Sequence, residues 1–295
     1  MNFLRVAAAA WPIERHDDWD GFAAKAERWV EEAAAKGAEL LLFPEYGSME
    51  LTSLVPHGSD LHRSLAEMQP MFAPYRELWS ALADKHNAVI AAPSFPVAHG
   101  KTFRNEAWVF APGGLSASQS KLHMTRFETE VWGISGGSDL TLFDLGGATA
   151  AIAICYDAEF PDQVQALAAA DADLILVPSC TDTEAGYTRV SVSARARAIE
   201  NQCFMVQSCT VGEAPWSPAV DLNIGTGGIY APPDRGFPSN GVLALGEHNT
   251  PGWTYADLDF AALKKVRAEG QVLNRRDRVE RAYGTPERTV LRRKA

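Results

Sequence analysis

Cysteine is scarce in this sequence, with four thiols in 295 residues: Cys155, Cys180, Cys203 and Cys209. No two of them form a Cys-x-x-Cys and no Cys/His spacing matches a zinc site, which excludes the common structural metal motifs and predicts reduced thiols. No apolar run approaches the roughly 20 residues that span a bilayer, so no membrane partner is expected. Basic clusters are missing until the final stretch, "NRRDRVERAYGTPERTVLRRKA", where Arg is mixed with Glu and Asp, and the net charge is −10. Nucleic acid and anionic surfaces are therefore excluded as main partners. Ser/Gly linkers, low-complexity tracts and internal repeats are also absent, which leaves nothing to divide the chain.

What is present is an ordinary globular composition, 46% hydrophobic and 22% charged. At the start, "MNFLRVAAAAWPIERHDD" has an apolar stretch too short for a signal peptide, and the alternation of Leu4, Val6 and Ala8 predicts a first β-strand. A cytoplasmic setting is expected. Phe22, Ala26, Trp29, Val30 and Ala33 form one stripe of an amphipathic helix, capped by Asp17 or Asp18 and ended by Gly37. "AELLLFPE" follows as a buried strand, then a helix from about Pro74 to His86 and strands in "NAVIAAPSFPV" and "NEAWVFAP". A hairpin turns across Gly146-Gly147. Two helix-then-strand units, a late hairpin and a closing strand and helix complete the order. Such interleaving predicts an α/β fold with mixed sheets. One domain is expected over residues 1–265, with 266–295 as a C-terminal arm contacting a partner subunit.

Three residues stand where strands end in this reading. Glu45 closes "AELLLFPE", Lys121 lies in "SQSKLH", and Cys155 closes "TAAIAIC". In α/β sheets the C-terminal strand ends form the rim where sites are built. Thr149, Ala151, Ala153 and Cys155 share one uniformly small face, which predicts a second sheet packed closely against it. Singly, each of the three has an ordinary reading: buried filler for Cys155, a turn cap for Glu45, a solvated surface lysine for Lys121. Jointly their chemistry is coherent. A thiol needs a base or a nearby cation to act. Glu45, flanked by Phe43, Pro44 and Tyr46, stands where burial would raise its pKa toward neutrality, so it could take the thiol proton and return it to a leaving amine. Lys121 and the backbone N–H of Tyr156 could stabilise a tetrahedral oxyanion. Such chemistry needs no metal, and no cofactor is expected.

Other features carry less. "GISGG" fits the serine-nucleophile pattern, but it lacks the strand before and the helix after, so Ser135 and its glycines read as a loop near the pocket. His123 reads as a structural hydrogen-bonding residue. Arg195, Arg197, Glu200 and Asn201 share a helix, as either a buried ion-pair network behind the site or an exposed charged face. Trp132, Tyr187 and Trp216 fall in loop-like segments and are candidate pocket residues or ordinary packing aromatics. The Pro-rich "EAPWSPAVDLNIG" is a candidate lid. Gly225 to Gly228 lack the context of a dinucleotide site.

Four blocks, "LLFPEYG", "SKLHMTRFE", "AIAICYDAEFP" and "ARARAIENQCFMV", together resemble the nitrilase superfamily of carbon–nitrogen hydrolases, in order and over the chain to about residue 260. The resemblance implies a four-layer αββα sandwich with two mixed β-sheets, whose protomers pair through their helical layers into a homodimer or a larger homo-oligomer. It implies Glu45 as general base, Lys121 as oxyanion stabiliser, Cys155 as nucleophile and Glu128 as the residue positioning substrate and lysine. It also favours the buried network for Arg197 and Glu200. Nitrilases of the family typically read Cys-Trp-Glu at the nucleophile. Here Cys155-Tyr156-Asp157 looks like the amidase branch. Relatives that take a substrate carboxylate often place Arg just after the nucleophile, whereas this chain has Ala158 and Glu159. Glu159 would repel a carboxylate, so the expected substrate is a small neutral or amine-bearing amide. A nitrile substrate, acyl transfer to an amine and a non-catalytic binding role are the alternatives. The acyltransferase branch is weakened by the missing membrane segments, and the binding role by the presence of all three residues.

Overall fold

The computed structural model describes residues 2–278. Its first sheet is built from β1 (Phe3–Pro12), β2 (Leu40–Leu42), β3 (Val89–Ala91), β4 (Phe95–His99), β5 (Thr102–Ala111) and β6 (Leu115–Ser120). The second comprises β7 (Leu142–Asp144), β8 (Thr149–Ile152), β9 (Leu174–Ser179), β10 (Phe204–Glu213), β11 (Leu222–Asn223), β12 (Gly228–Tyr230) and β13 (Val242–Leu245). β14 (Gly252–Asp259) then returns antiparallel to β1. β1, β2 and β3 pair in parallel, as do β8, β9 and β10, while their flanking strands are antiparallel. The two sheets join at a corner where β1 and β10 run on side by side, with Ala10, Trp11 and Pro12 opposite Cys209, Thr210 and Val211.

Side-chain alternation along β1 explains the layers. Leu4, Val6 and Ala8 belong to the core shared with β8, β9 and β10. Ala7, Ala9 and Trp11 belong to a second core under α1 (Trp19–Ala35), α2 (Leu61–Glu67) and α3 (Phe72–His86). On the other side α4 (Pro161–Ala169), α5 (Glu184–Asn201) and α6 (Phe260–Glu269) close the first core. This is the four-layer αββα sandwich with two mixed sheets. Ala8, Ala151 and Ala153 all lie in this first core.

α1 starts where Asp18 accepts the Gly21 N–H at 2.9 Å and ends before Gly37, whose φ of 78° stops the helix. Its buried face holds Phe22, Ala26, Val30 and Ala33, and also Lys25. Periodicity counts a lysine as polar, yet Lys25 pairs with buried Glu50 and stands 4.0 Å over the Trp11 ring.

The strands stop before the three residues expected to close them. β2 ends three residues before Glu45, β6 one before Lys121 and β8 three before Cys155. Pro44 has no N–H for a ladder. Tyr46 and Cys155 take φ of 55° and 49°, a left-handed conformation outside strand geometry. "NAVIAAPSFPV" splits into β3 and β4 around Pro93. α6 runs through residue 265, and beyond it Arg267 donates to the Gln202 carbonyl at 2.8 Å and Arg275 to the Ala168 carbonyl at 2.6 Å. The rest of the expected arm, residues 279–295, lies outside the described residues. Among the described residues no helix is long and apolar enough to cross a membrane, and no group of three His, Cys, Asp or Glu is arranged to hold a metal ion.

Candidate active site

The segments that leave these strands converge on one cleft of about 570 Å³, lined among others by Glu45, Lys121, Glu128, Cys155 and Tyr156. Lys121 is 1% exposed and sits between two carboxylates, 2.7 Å from Glu45 Oε1 and 2.7 Å from Glu128 Oε2. Burial would lower its pKa, but the two carboxylates outweigh burial and raise it, so Lys121 is an ammonium. Those attractions hold Glu128 below its ordinary value against its own burial.

Glu45 has the other outcome. Burial pushes its pKa up to about 7, with the Lys121 charge opposing and the Glu128 charge assisting. Its Oε1 accepts from Lys121 Nζ and, at 2.8 Å, from Asn105 Nδ2. Its Oε2 accepts the backbone N–H of Cys180 at 3.0 Å. A carboxyl poised near neutrality can both take and return a proton. Burial, and then the Glu45 charge, raise the Cys155 pKa well above the usual thiol value, so the resting group is a neutral thiol. It lies 3.8 Å from the Cys180 carbonyl oxygen, at the head of a 3-10 turn over Cys155–Glu159.

Asp157, which sequence reasoning left unassigned, ties that turn to the Lys121 segment. Its fully buried carboxylate accepts the N–H groups of Leu122 at 3.2 Å and His123 at 2.8 Å. His123 Nδ1 also meets Asp157 and Gln163, a hydrogen-bonding position rather than one in the cleft. Lys121 itself is fixed by its N–H to the Asn105 carbonyl and by the Gly137 N–H to its own carbonyl, both at 2.8 Å. The "GISGG" glycines therefore form a loop against this segment. A Cβ on Gly136 would stand 2.7 Å from the Leu122 carbonyl oxygen, so that position has no room for a side chain. Behind the Cys155 turn, Arg197 is 7% exposed, donates to the Ala158 carbonyl at 3.2 Å and pairs with Glu200, while Arg195 faces outward to the Asn240 carbonyl.

The candidate pocket residues divide. Trp132 lines the cleft, its indole N–H bonded to the Leu61 carbonyl at 3.0 Å and its ring 4.7 Å from Tyr46. Glu159 lines it too, facing Arg189 at 3.6 Å, and burial raises its pKa. Tyr187 does not line it. On α5, Gly186 and Arg189 face the cleft, and the turn of the helix carries Tyr187 away to pack its ring 5.0 Å from His248. Trp216 is likewise absent from the lining and packs with the outer core, whereas Pro218, Ala219, Asp221 and Leu222 of its loop form part of the wall.

Sequence reasoning missed Tyr46, Asn105 and Cys180. Tyr46 and Cys180 line the cleft, and Asn105 reaches Glu45 from β5, two strands away from β2. Their place beside "PE", in "NEAWVFAP" and at the end of "LILVPSC" marks them only as strand-end neighbours; nothing local says what they touch.

Comparison with known proteins gives the family and the fold. The carbon–nitrogen hydrolase family profile matches residues 5–267. A Bacillus subtilis protein named probable hydrolase YhcX is 31% identical over 281 residues, which cover 95% of this chain and 54% of that protein, so the chain spans about half its relative's length. An omega-amidase of Danio rerio is 24% identical over 262 residues, 85% of this chain and 87% of its own. In fold the chain is similar to Nit3 of Saccharomyces cerevisiae, described as a nitrilase-superfamily member (TM-score 0.73, 19% identity, 94% and 97% of the two chains covered). It is equally similar to an amidase from Nesterenkonia sp. (TM-score 0.72, 22% identity, 91% and 95% covered). With the profile running across nearly the whole described chain, this protein belongs to the carbon–nitrogen hydrolase family.

Proposed function

We propose that the protein hydrolyses the carbon–nitrogen bond of a small amide to a carboxylate and ammonia or an amine, through a thioester on Cys155. The observation that carries this reading is the single cleft in which a neutral thiol, a carboxyl poised at about 7 and a buried ammonium converge. Glu45 Oε1 is occupied by Lys121 and Asn105, whereas Oε2 holds only the Cys180 N–H, so Oε2 is the oxygen that takes the thiol proton. As the proton leaves, sulfur attacks the amide carbon and the carbonyl electron pair moves onto oxygen. Lys121 and the Tyr156 N–H stabilise that oxyanion. Collapse breaks the carbon–nitrogen bond, and the leaving amine takes the proton from Glu45. Water then gives its proton to Glu45 and attacks the thioester; collapse returns the proton to sulfur and releases the acid. Glu128 holds Lys121 in place as an ammonium.

Relatives named omega-amidase support an amide substrate, and Glu159 at the cleft supports one without a carboxylate, neutral or bearing an amine. We further propose residues 1–265 as the catalytic unit, 266–295 as a subunit-contacting arm and a cytoplasmic homodimer. Val192 and Ile199, seven residues apart on α5 and both exposed, support pairing through the helical layer.

The test is a matched panel of neutral, cationic and carboxylate-bearing amides with the corresponding nitriles, read by ammonia release and by intact mass. An acyl adduct on Cys155 from neutral or cationic amides supports the reading. Turnover of nitriles alone, or a preference for carboxylate-bearing amides, overturns the substrate assignment, and adduct-free turnover overturns the thioester.

A further inference from the structure

Lys121 has three ammonium protons and three oxygens already around it: Glu45 Oε1 at 2.7 Å, Glu128 Oε2 at 2.7 Å and Glu128 Oε1 at 2.9 Å. If each proton were committed, none would remain for a substrate oxygen. The surroundings of Glu128 relieve this. Its Oε2 also accepts the N–H and the hydroxyl of Thr125, at 2.8 and 2.9 Å. Its Oε1 accepts the hydroxyl of Tyr46 at 2.7 Å, closer than the lysine approaches the same oxygen. A carboxylate has about four lone-pair sites, so these three other donors nearly fill it.

From this geometry we propose that Tyr46 is a positioning residue, acting through Glu128. By donating to Oε1 it competes with the longer Lys121 contact there, so Lys121 can keep its shorter bond to Oε2 and turn its third N–H toward the substrate oxygen. The inference rests on Lys121 being the oxyanion stabiliser of the proposed reaction. Tyr46 is held for this task. It is 4% exposed, its backbone sits at φ 55°, its N–H donates to Ser94 Oγ at 2.8 Å, and its ring lies 4.7 Å from that of Trp132. The charged and titratable groups facing its hydroxyl are Glu128, Glu45 and Cys180, with Lys121 and Cys155 just beyond them. Burial, reinforced by the two carboxylates, raises the phenol pKa well above its usual value, so Tyr46 remains a donor.

Tyr46→Phe keeps the ring and removes the donor. Three results are expected. Turnover falls by about 10- to 100-fold, less than the roughly 10²- to 10³-fold for loss of an oxyanion donor itself, because Lys121 remains present. KM changes by less than about threefold, because ground-state packing is retained. The acid limb of the pH–rate profile, set by Glu45, moves up by about half a pH unit, since Glu128 without that donor draws Lys121 toward itself and weakens the ammonium's hold on the Glu45 carboxylate. A merely structural role would lower the melting temperature and leave the limb in place. Should Tyr46→Phe fail to fold, 3-fluorotyrosine placed at position 46 tests the same contact, because its more acidic phenol donates more strongly and should move the limb down. Wild-type turnover and an unmoved limb in Tyr46→Phe, or an unmoved limb in the fluorinated protein, overturn the proposal. Loss of the Cys155 adduct in the unsubstituted protein would instead overturn the reaction on which it rests.

Discussion

The backbone N–H of Cys180 donates to Oε2 of Glu45 at 3.0 Å, although 135 positions separate the two residues. The contact holds the carboxyl beside Cys155 without adding a charge. It leaves burial and the balance between Lys121 and Glu128 to set the proton affinity of Glu45.

Removing the proton acceptor separates its role from that of the sulfur. Glu45→Gln should lower turnover by about 10²- to 10⁴-fold while Cys155 remains present. Cys155→Ala should lose both turnover and the mass adduct. An unaltered rate in either variant, measured by ammonia release, would count against the assignment.

The pH dependence follows from the raised affinity of Glu45. With a folded value of about 7 against an ordinary 4.5, kcat/KM should fall toward acid with a half-point near 7. The sign for stability is opposite to that of an ion-paired surface carboxylate. Between 4.5 and about 7 the folded protein holds a proton that the unfolded chain has released, so Glu45 stabilises below that window and this stabilisation is lost as pH rises through about 7. Glu45→Gln should therefore raise the melting temperature relative to wild type more at about pH 8 than at about pH 5. Differential scanning calorimetry at the two pH values checks it.

Arg197 and Arg195 make an internal control on one helix. Arg197→Met strips the Ala158 carbonyl of its donor behind the Cys155 turn and should cost about 2–4 kcal/mol, with a loss of turnover. Arg195→Met removes an exposed contact to the Asn240 carbonyl and should change stability by less than about 0.5 kcal/mol. Equal effects in urea denaturation would remove the distinction.

Gly136→Ala places a Cβ against the Leu122 carbonyl, a backbone atom that cannot swing aside. It should destabilise by about 1–3 kcal/mol and shift Lys121, lowering turnover more than KM. Gly113→Ala meets no atom within 4 Å, but its φ of 85° still strains the turn. Its effect should be on stability alone, as thermal melts and kinetics together would reveal.

Much of this was legible locally. The stripe from Phe22 to Ala33 predicts α1, and the alternation of Leu4, Val6 and Ala8 predicts β1, because each pattern records which face meets a core. The site's Glu45 and Cys155 stand out as polar groups at the ends of apolar runs, and Lys121 lies in the strand-like, polar "SQSKLH". Lys25 and Tyr187 show where such reasoning fails. One is a lysine buried by a partner 25 residues away, and the other an aromatic turned from the cleft by the helix that carries it.

By itself, then, the order of apolar and polar residues determined strands and helices and an α/β fold with mixed sheets, since these depend on spacing along the chain, while the four-layer sandwich was implied by the resemblance of four sequence blocks. The tertiary structure decided which groups meet: Cys180 with Glu45, Tyr46 with Glu128, Asp157 with the segment after Lys121. Proton affinities and spare hydrogen bonds depend on distances of a few ångströms between residues far apart in sequence, and only the packed sheets set those distances.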